Sequence, residues 1–337
     1  VYVVGTGNTG AQGAFLTLGI VYFIVMMFAA FSYRVPAPDW KPKGWSPDTS
    51  KDKENSMVTK NNVHIDQAIK TPQFWQLWIV LCFNVTAGIG VIGVAKTMMT
   101  EIFGSTLPTV ATAAFAGTYV LMISVFNMCG RIIWASLSDY IGRKNTYHCF
   151  FVLGTILYVS IPFSASAVSA DPVITWLVMF YAATMIIFTM YGGGFATIPA
   201  YLADIFGTLH VGGIHGRLLT AWSTAGVLGP FAITYLRNNS LESAINDLAA
   251  KVDPNIFFEK FGTGIENLEQ LISAKTVTIS KLMEVVPDGT IDPTPSLYNS
   301  TMYAMAGLLV IAFFSNLFMK PVDKKHHVEN THPEFKS

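Results

Sequence analysis

The sequence predicts an all-α, polytopic membrane protein, and three observations carry that prediction. Hydrophobic residues make up 52% of the 337 positions and charged residues only 12%, against about 25% charged in soluble domains. The charges are also segregated. Stretches 1–33, 71–95, 102–130, 145–170, 172–203, 218–236 and 293–319 hold no Asp, Glu, Lys or Arg. Each has room for the ~20 apolar residues of a helical span, so seven transmembrane helices are expected. Finally, the basic loops alternate with loops poor in Lys and Arg. Under the positive-inside rule the basic loops face the cytoplasm. These are the linker that begins at Arg34, the turn at Arg143 and Lys144, the loop with His210, His215 and Arg217, and the tail with Lys320, Lys324 and Lys325. The long insertion 237–298 then lies outside.

The first span is Ala14–Tyr33, behind the glycine-rich GTGNTGAQG. A linker follows, expected over 34–73, with Pro36, Pro38, Pro42, Pro47 and the charged run SKDKENS. Its first part should be extended. Its end, VHIDQAIKT, reads as a short amphipathic helix on the membrane surface, stopped by Thr71-Pro72, which also sets up the next helix.

Spans two to six are expected at Phe74–Ala95, Thr109–Ser136, Tyr147–Ser166, Val173–Ile198 and Leu218–Leu236. Small residues in span two invite close helix approach. Gly192, Gly193, Gly194 and Pro199 should weaken span five locally. The insertion shows helical periodicity in LESAINDLAAKV and GIENLEQLISAKTVTISKLMEVV, which reads as two or three small amphipathic helices. Span seven is Ser300–Met319, and 321–337 is a polar cytoplasmic tail.

Composition also excludes. A net charge of zero without a basic stripe argues against a nucleic-acid partner, which leaves the lipid bilayer as the expected surroundings. Cys82, Cys129 and Cys149 fall in spans and read as small buried hydrophobes. Neither metal-ligand spacing nor a phosphate-binding loop is present, so no metal, no cofactor and no enzyme activity are expected.

One charge breaks the pattern. Arg131 lies well inside the third apolar run, where insertion costs roughly 2.5–3.5 kcal/mol. It reads either as a functional cation or as an arginine snorkelling to the headgroups. The next charge, Asp139, is eight residues away, about 12 Å of helix, near the limit of snorkelling.

The end of that span reads Ala135-x-x-x-Asp139-x-x-Gly142-Arg143-Lys144. This resembles the signature loop of the major facilitator superfamily, where a glycine usually stands at the place of Ala135. The departure implies looser packing at that seam. Asp204 in IPAYLADIFG and Arg217 in GGIHGRLLTAW match further places of the superfamily's cytoplasmic charge network. The resemblance therefore implies that Asp139, Arg143, Lys144, Asp204 and Arg217 form a gating network, with plain solvated loop charges as the alternative. FNMCGRIIWASLSDYIGRKNTY, YGGGFATIPAYLADIFG, HGRLLTAWSTAGVLGP and AFLTLGIVYFIV are similar to the oxalate/formate antiporter family, which is monocarboxylate transporter-like. The spans then correspond to the sixth through twelfth of twelve. Residues 1–33 would be the last helix of an N-terminal bundle truncated by five spans, and 74–320 a C-terminal six-helix bundle.

The resemblance implies that Arg131 binds a substrate carboxylate, with Asn127 one turn earlier on the same face and Ser124 and Trp134 nearby. Trp222 occupies the place of a second cation in the family, which points to a monoanion such as pyruvate, lactate or formate. Tyr191, Tyr181, Thr220 and Ser223 are further candidates for the lining. The implied function is a multi-pass secondary transporter of small monocarboxylates in the cell (inner) membrane, working by alternating access. The partner is a small organic anion, and whether a proton or a counter-anion is coupled stays open. The alternatives are a superfamily transporter of a drug or sugar, and a non-transporting membrane receptor.

Overall fold

The computed structural model describes residues 10–34, 40, 43–44, 57–59 and 61–328. The prolines and the charged run of the linker, and the end of the tail, lie outside the described residues. The chain divides into a unit of residues 1–54 and a unit of residues 55–337. The first unit holds α1 (Ala11–Ser32), 22 residues without a charged side chain.

The second unit is built of helices, and among the described residues no strand is present. It runs α2 (Ile65–Ala68), α3 (Pro72–Phe103), α4 (Ala113–Ile141), α5 (Arg143–Ala170), α6 (Ile174–Phe206), α7 (Val211–Leu218) and α8 (Thr220–Ala249). Then come the short α9 (Pro254–Phe261), α10 (Leu268–Ser273) and α11 (Ile279–Met283), and finally α12 (Asn299–Leu317). α4 packs on α6, α3 lies between α8 and α12, and α5 bridges α6 and α12. Six helices among the described residues are long and apolar enough to cross a membrane: α1, α3, α4, α5, α6 and the one that ends at Leu317. α8 falls short because hydroxyl side chains, Gly226, Gly229 and Pro230 dilute its first half and its second half is polar.

Local chemistry sets the boundaries. Thr71 caps α3, its side chain accepting from Phe74 N at 3.4 Å, and Pro72 occupies the first turn, where no amide partner is needed. Thr112 caps α4 in the same way. Gly142 alone separates α4 from α5 at φ 85°, a backbone that favours glycine. Several buried tyrosines in the bundle are paired, as a low-dielectric interior favours. Tyr147 donates to Gly194 O at 2.5 Å, Tyr158 to Ala87 O at 2.9 Å, and Tyr201 to Asn316 Oδ1 at 2.9 Å.

α6 runs without a break from Ile174 to Phe206, with its three glycines and Pro199 inside it. The glycines serve packing against α4. A Cβ on Gly192 would stand 2.1 Å from Asn127 O, and one on Gly193 2.5 Å from Trp134 Cβ. The segment VHIDQAIKT, expected as a surface amphipathic helix, packs instead on the bundle. Its helix is a single turn, and Val63 and Ala68 are fully buried against the bundle. LESAINDLAAKV is not a separate helix: its residues Leu241 to Ala249 are the last nine of α8. The helix passes Arg237 unbroken because that charge is satisfied sideways. Arg237 forms a two-bond fork on Glu101 of α3, and Tyr298 donates to Glu101 Oε2 at 2.6 Å.

Candidate functional site

Arg131 stands on the exposed side of α4, 18 residues after Ala113 in a helix that ends at Ile141. Its Nε donates to Asn127 Oδ1 at 3.3 Å, one turn back. Among the described residues it has no other hydrogen bond, so Nη1 and Nη2 are free. Its guanidinium carbon lies 5.2 Å from the ring centroid of Phe195 on α6, a cation–π contact. Phe195 meets Trp222 of α8 edge-on at 4.8 Å, and Trp222 lies 6.1 Å from Tyr191. Three helices thus contribute one cation, one amide and three aromatic rings to a continuous patch.

The glycines hold this patch together. Gly130 and Gly192 let the α4 and α6 backbones meet beside Arg131 and Asn127: a Cβ on Gly130 would stand 2.1 Å from Thr189 O. The Tyr191 ring fills the space a side chain would need at Gly88 of α3, with Cδ2 at 2.1 Å from that Cβ position. Arg131, Asn127, Tyr191 and Trp222 therefore lie near one another. Phe195, which joins them, was missed. The signal was its place one turn after Tyr191, but an apolar helix with many phenylalanines hides it.

Other expected residues go elsewhere. Trp134 turns into the α4–α6 seam, donating to Thr189 Oγ1 at 3.1 Å and packing edge-on against Phe150. Tyr181 packs on Phe115 and Tyr119 and lines an apolar cleft of about 480 Å³ with Phe126 and Met185. Thr220 Oγ1 accepts from Trp78 Nε1 at 3.0 Å. Ser124 donates to Val120 O within α4, and Ser223 stays exposed on α8.

The charges at the basic-loop end form two clusters. In the first, Arg143 pairs with Asp139 one turn back, donates to Ser138 and Ala135, and lies 3.9 Å from Asp204. In the second, Arg217 donates to Asp66 Oδ1 at 2.6 Å and to Ile65 O at 3.1 Å. Arg217 thus meets the linker end instead of Asp204. Lys144 makes no ion pair among the described residues; it donates to Leu317 O and Met319 O at 3.0 and 2.9 Å, tying α5 to the end of α12.

The pattern that describes the Major Facilitator Superfamily matches residues 3–233. The chain belongs to that superfamily. It is 29% identical over 220 residues to the oxalate:formate antiporter of Oxalobacter formigenes, a stretch that covers 65% of this chain and 46% of the antiporter. It is 24% identical over 200 residues to the uncharacterized MFS-type transporter YhjX of Escherichia coli (strain K12), covering 59% of this chain and 43% of that protein. The chain thus spans about half the length of the curated relatives it matches. The superfamily and both relatives point to transport, not to catalysis.

Proposed function

We propose that this major facilitator chain forms the helical bundle of a secondary transporter that moves small monocarboxylates across the cell membrane by alternating access. The observation that carries the reading is Arg131. It is a cation deep in an apolar helix, placed by Asn127 and Phe195, and the two-nitrogen edge of its guanidinium makes no hydrogen bond among the described residues. That edge matches a carboxylate in plane and spacing. Trp222, Phe195 and Tyr191 add apolar surface beside it. A methyl or hydrogen substituent packs there more readily than a second carboxylate. One cation facing one anion leaves no uncompensated charge when the site closes. Asp139, Arg143 and Asp204 act as a gate at the basic-loop end, stabilising one of the two orientations. The similarity to the oxalate:formate antiporter supports an organic anion as cargo.

The test is uptake into proteoliposomes by the protein expressed from its complete reading frame. Labelled pyruvate, lactate, formate and oxalate are compared with a sugar and a cationic drug. The reading expects the monocarboxylates to be moved best. Accumulation of the sugar or drug with no carboxylate uptake sinks it, and binding without accumulation favours a receptor. Exchange against an internal anion, compared with response to a proton gradient, separates the two couplings.

A further inference from the structure

Residues 57–59 and 61–66 meet the basic-loop end of the bundle where α6 ends. The crossing is made by main-chain bonds. Thr59 N donates to Asp204 O at 2.8 Å and Val63 N to Phe206 O at 2.9 Å. These belong to the last carbonyls of α6, which a helix end leaves without partners of its own. Gly207 makes the approach possible. It ends α6 at φ 82°, and a Cβ there would stand 2.4 Å from Asn61 O. Asn62 Oδ1 accepts from Leu209 N at 3.0 Å, and Val63 is fully buried.

The far end of the segment is held by charge. Arg217 of α7 grips Asp66 Oδ1 at 2.6 Å and Ile65 O at 3.1 Å, and Ile65 fills the space above Gly213. The tail covers the segment from the other side. Val328 N donates to Asn62 O at 2.8 Å, and His327 pairs with Val63 in an antiparallel bridge. Asp204 therefore takes part twice: its side chain faces Arg143, and its carbonyl holds Thr59.

We infer that residues 57–59 and 61–66 form a strap that fixes the end of α6 to α7, with Asp66 as its positioning residue, so that the two charge clusters at this end act as one latch. The inference rests on the transporter reading for its consequence. Asp204 and Arg217 do not meet directly among the described contacts; the strap connects them. Any state that separates the end of α6 from α7 must release Arg217 from Asp66 and peel Thr59 and Val63 from their carbonyls. The strap thereby favours the state shown and sets the rate of leaving it. Among the described contacts Asp66 touches none of Arg131, Asn127, Tyr191, Phe195 and Trp222, so its effect falls on rate and not on affinity.

The experiment is hydrogen exchange at the amides of Thr59 and Val63, followed by transport, in the protein from its complete reading frame. Asp66→Asn should speed exchange at both amides about threefold, the size expected of an exposed ion pair. Asp66→Glu, and the exchange of charges in Asp66→Arg with Arg217→Asp, should recover most of the protection. Asp66→Asn should change the maximal transport rate at least threefold at unchanged KM, with its thermal midpoint within a degree or two of the parent protein. Unchanged exchange in Asp66→Asn overturns the strap. Faster exchange with an unaltered maximal rate overturns its role in the latch, as does a change confined to KM. Exchange needs no substrate. A parent protein that moves no carboxylate therefore sinks the transport reading and leaves the strap to be decided by exchange.

Discussion

Replacing Arg131 tests the candidate site most directly, and its structure sets the size of the effect. Nε is engaged by Asn127 at 3.3 Å, which leaves the Nη1–Nη2 edge for a carboxylate. A charge-assisted hydrogen bond is worth about 1.5–3 kcal/mol. Lysine keeps the charge but not the planar fork, and restores one of the two bonds. Arg131→Lys should therefore lose about 2 kcal/mol, roughly 30-fold in apparent affinity for pyruvate or lactate. Arg131→Ala removes both bonds, about 3–6 kcal/mol, which is a loss of at least ~150-fold. The alanine variant should still reach the membrane, because removing a deep charge eases insertion. The assay is the concentration dependence of labelled uptake into proteoliposomes, with the inserted protein quantified in the same vesicles. An inserted Arg131→Ala protein that moves pyruvate or lactate at the unmutated rate refutes the carboxylate role.

Trp222→Lys should raise the ratio of oxalate to pyruvate uptake, since Trp222 reaches the Arg131 patch through Phe195; an unaltered ratio means that Trp222 only packs. Glu101→Ala leaves Arg237 without its carboxylate between three helices, and should cost about 2–4 kcal/mol given the partial exposure of the pair. The readout is the unfolding midpoint in detergent, and the joint replacement of Glu101 and Arg237 by leucine and methionine should cost less than the single change. The guanidinium of Arg217 beside Asp66 holds its carboxyl below the usual carboxylate range. A depressed folded value means that the stabilisation is fully present above the ordinary pKa of about 3.9 and is lost as pH falls through the lower one. Protection factors of the strap amides should thus stay level between about pH 8 and pH 5; a decline within that interval contradicts the pairing.

The helices were legible because charge-free runs of this length have few other solutions in a membrane. Arg131 was legible for the same reason, as a costly residue in such a run. Charge, however, marks the edge of a bilayer and not the end of a helix, so the continuation of α8 past Arg237 to Ala249 could not be read. Glu101, Arg237 and Tyr298 were hidden by distance along the chain: 136 and 61 residues separate Arg237 from its two partners. The glycines of α6 were read through propensity, whereas packing against α4 decides their effect. The strap escaped because its bonds to α6 are main-chain bonds, which any sequence can make. Phe195 escaped because its role depends on which face of α6 meets α8.

The unbroken course of α8 gives the protein a built-in pointer. The helix bearing Trp222 extends without interruption to Ala249, where Ile245, Leu248, Val252, Phe257 and Leu282 are buried in continuity with the rest of the core. The Glu101–Arg237–Tyr298 cluster pins the middle of that shaft to α3 and to the start of α12. From the pin at Arg237 to Ala249 the shaft is about 18 Å long, so a tilt of ~10° about that pin sweeps its tip through roughly 3 Å. A pair of spin labels, one at the tip and one on the outer end of α4, would read such a swing directly. The turnover of the patch could then be timed from a solvent-exposed position that no cargo touches.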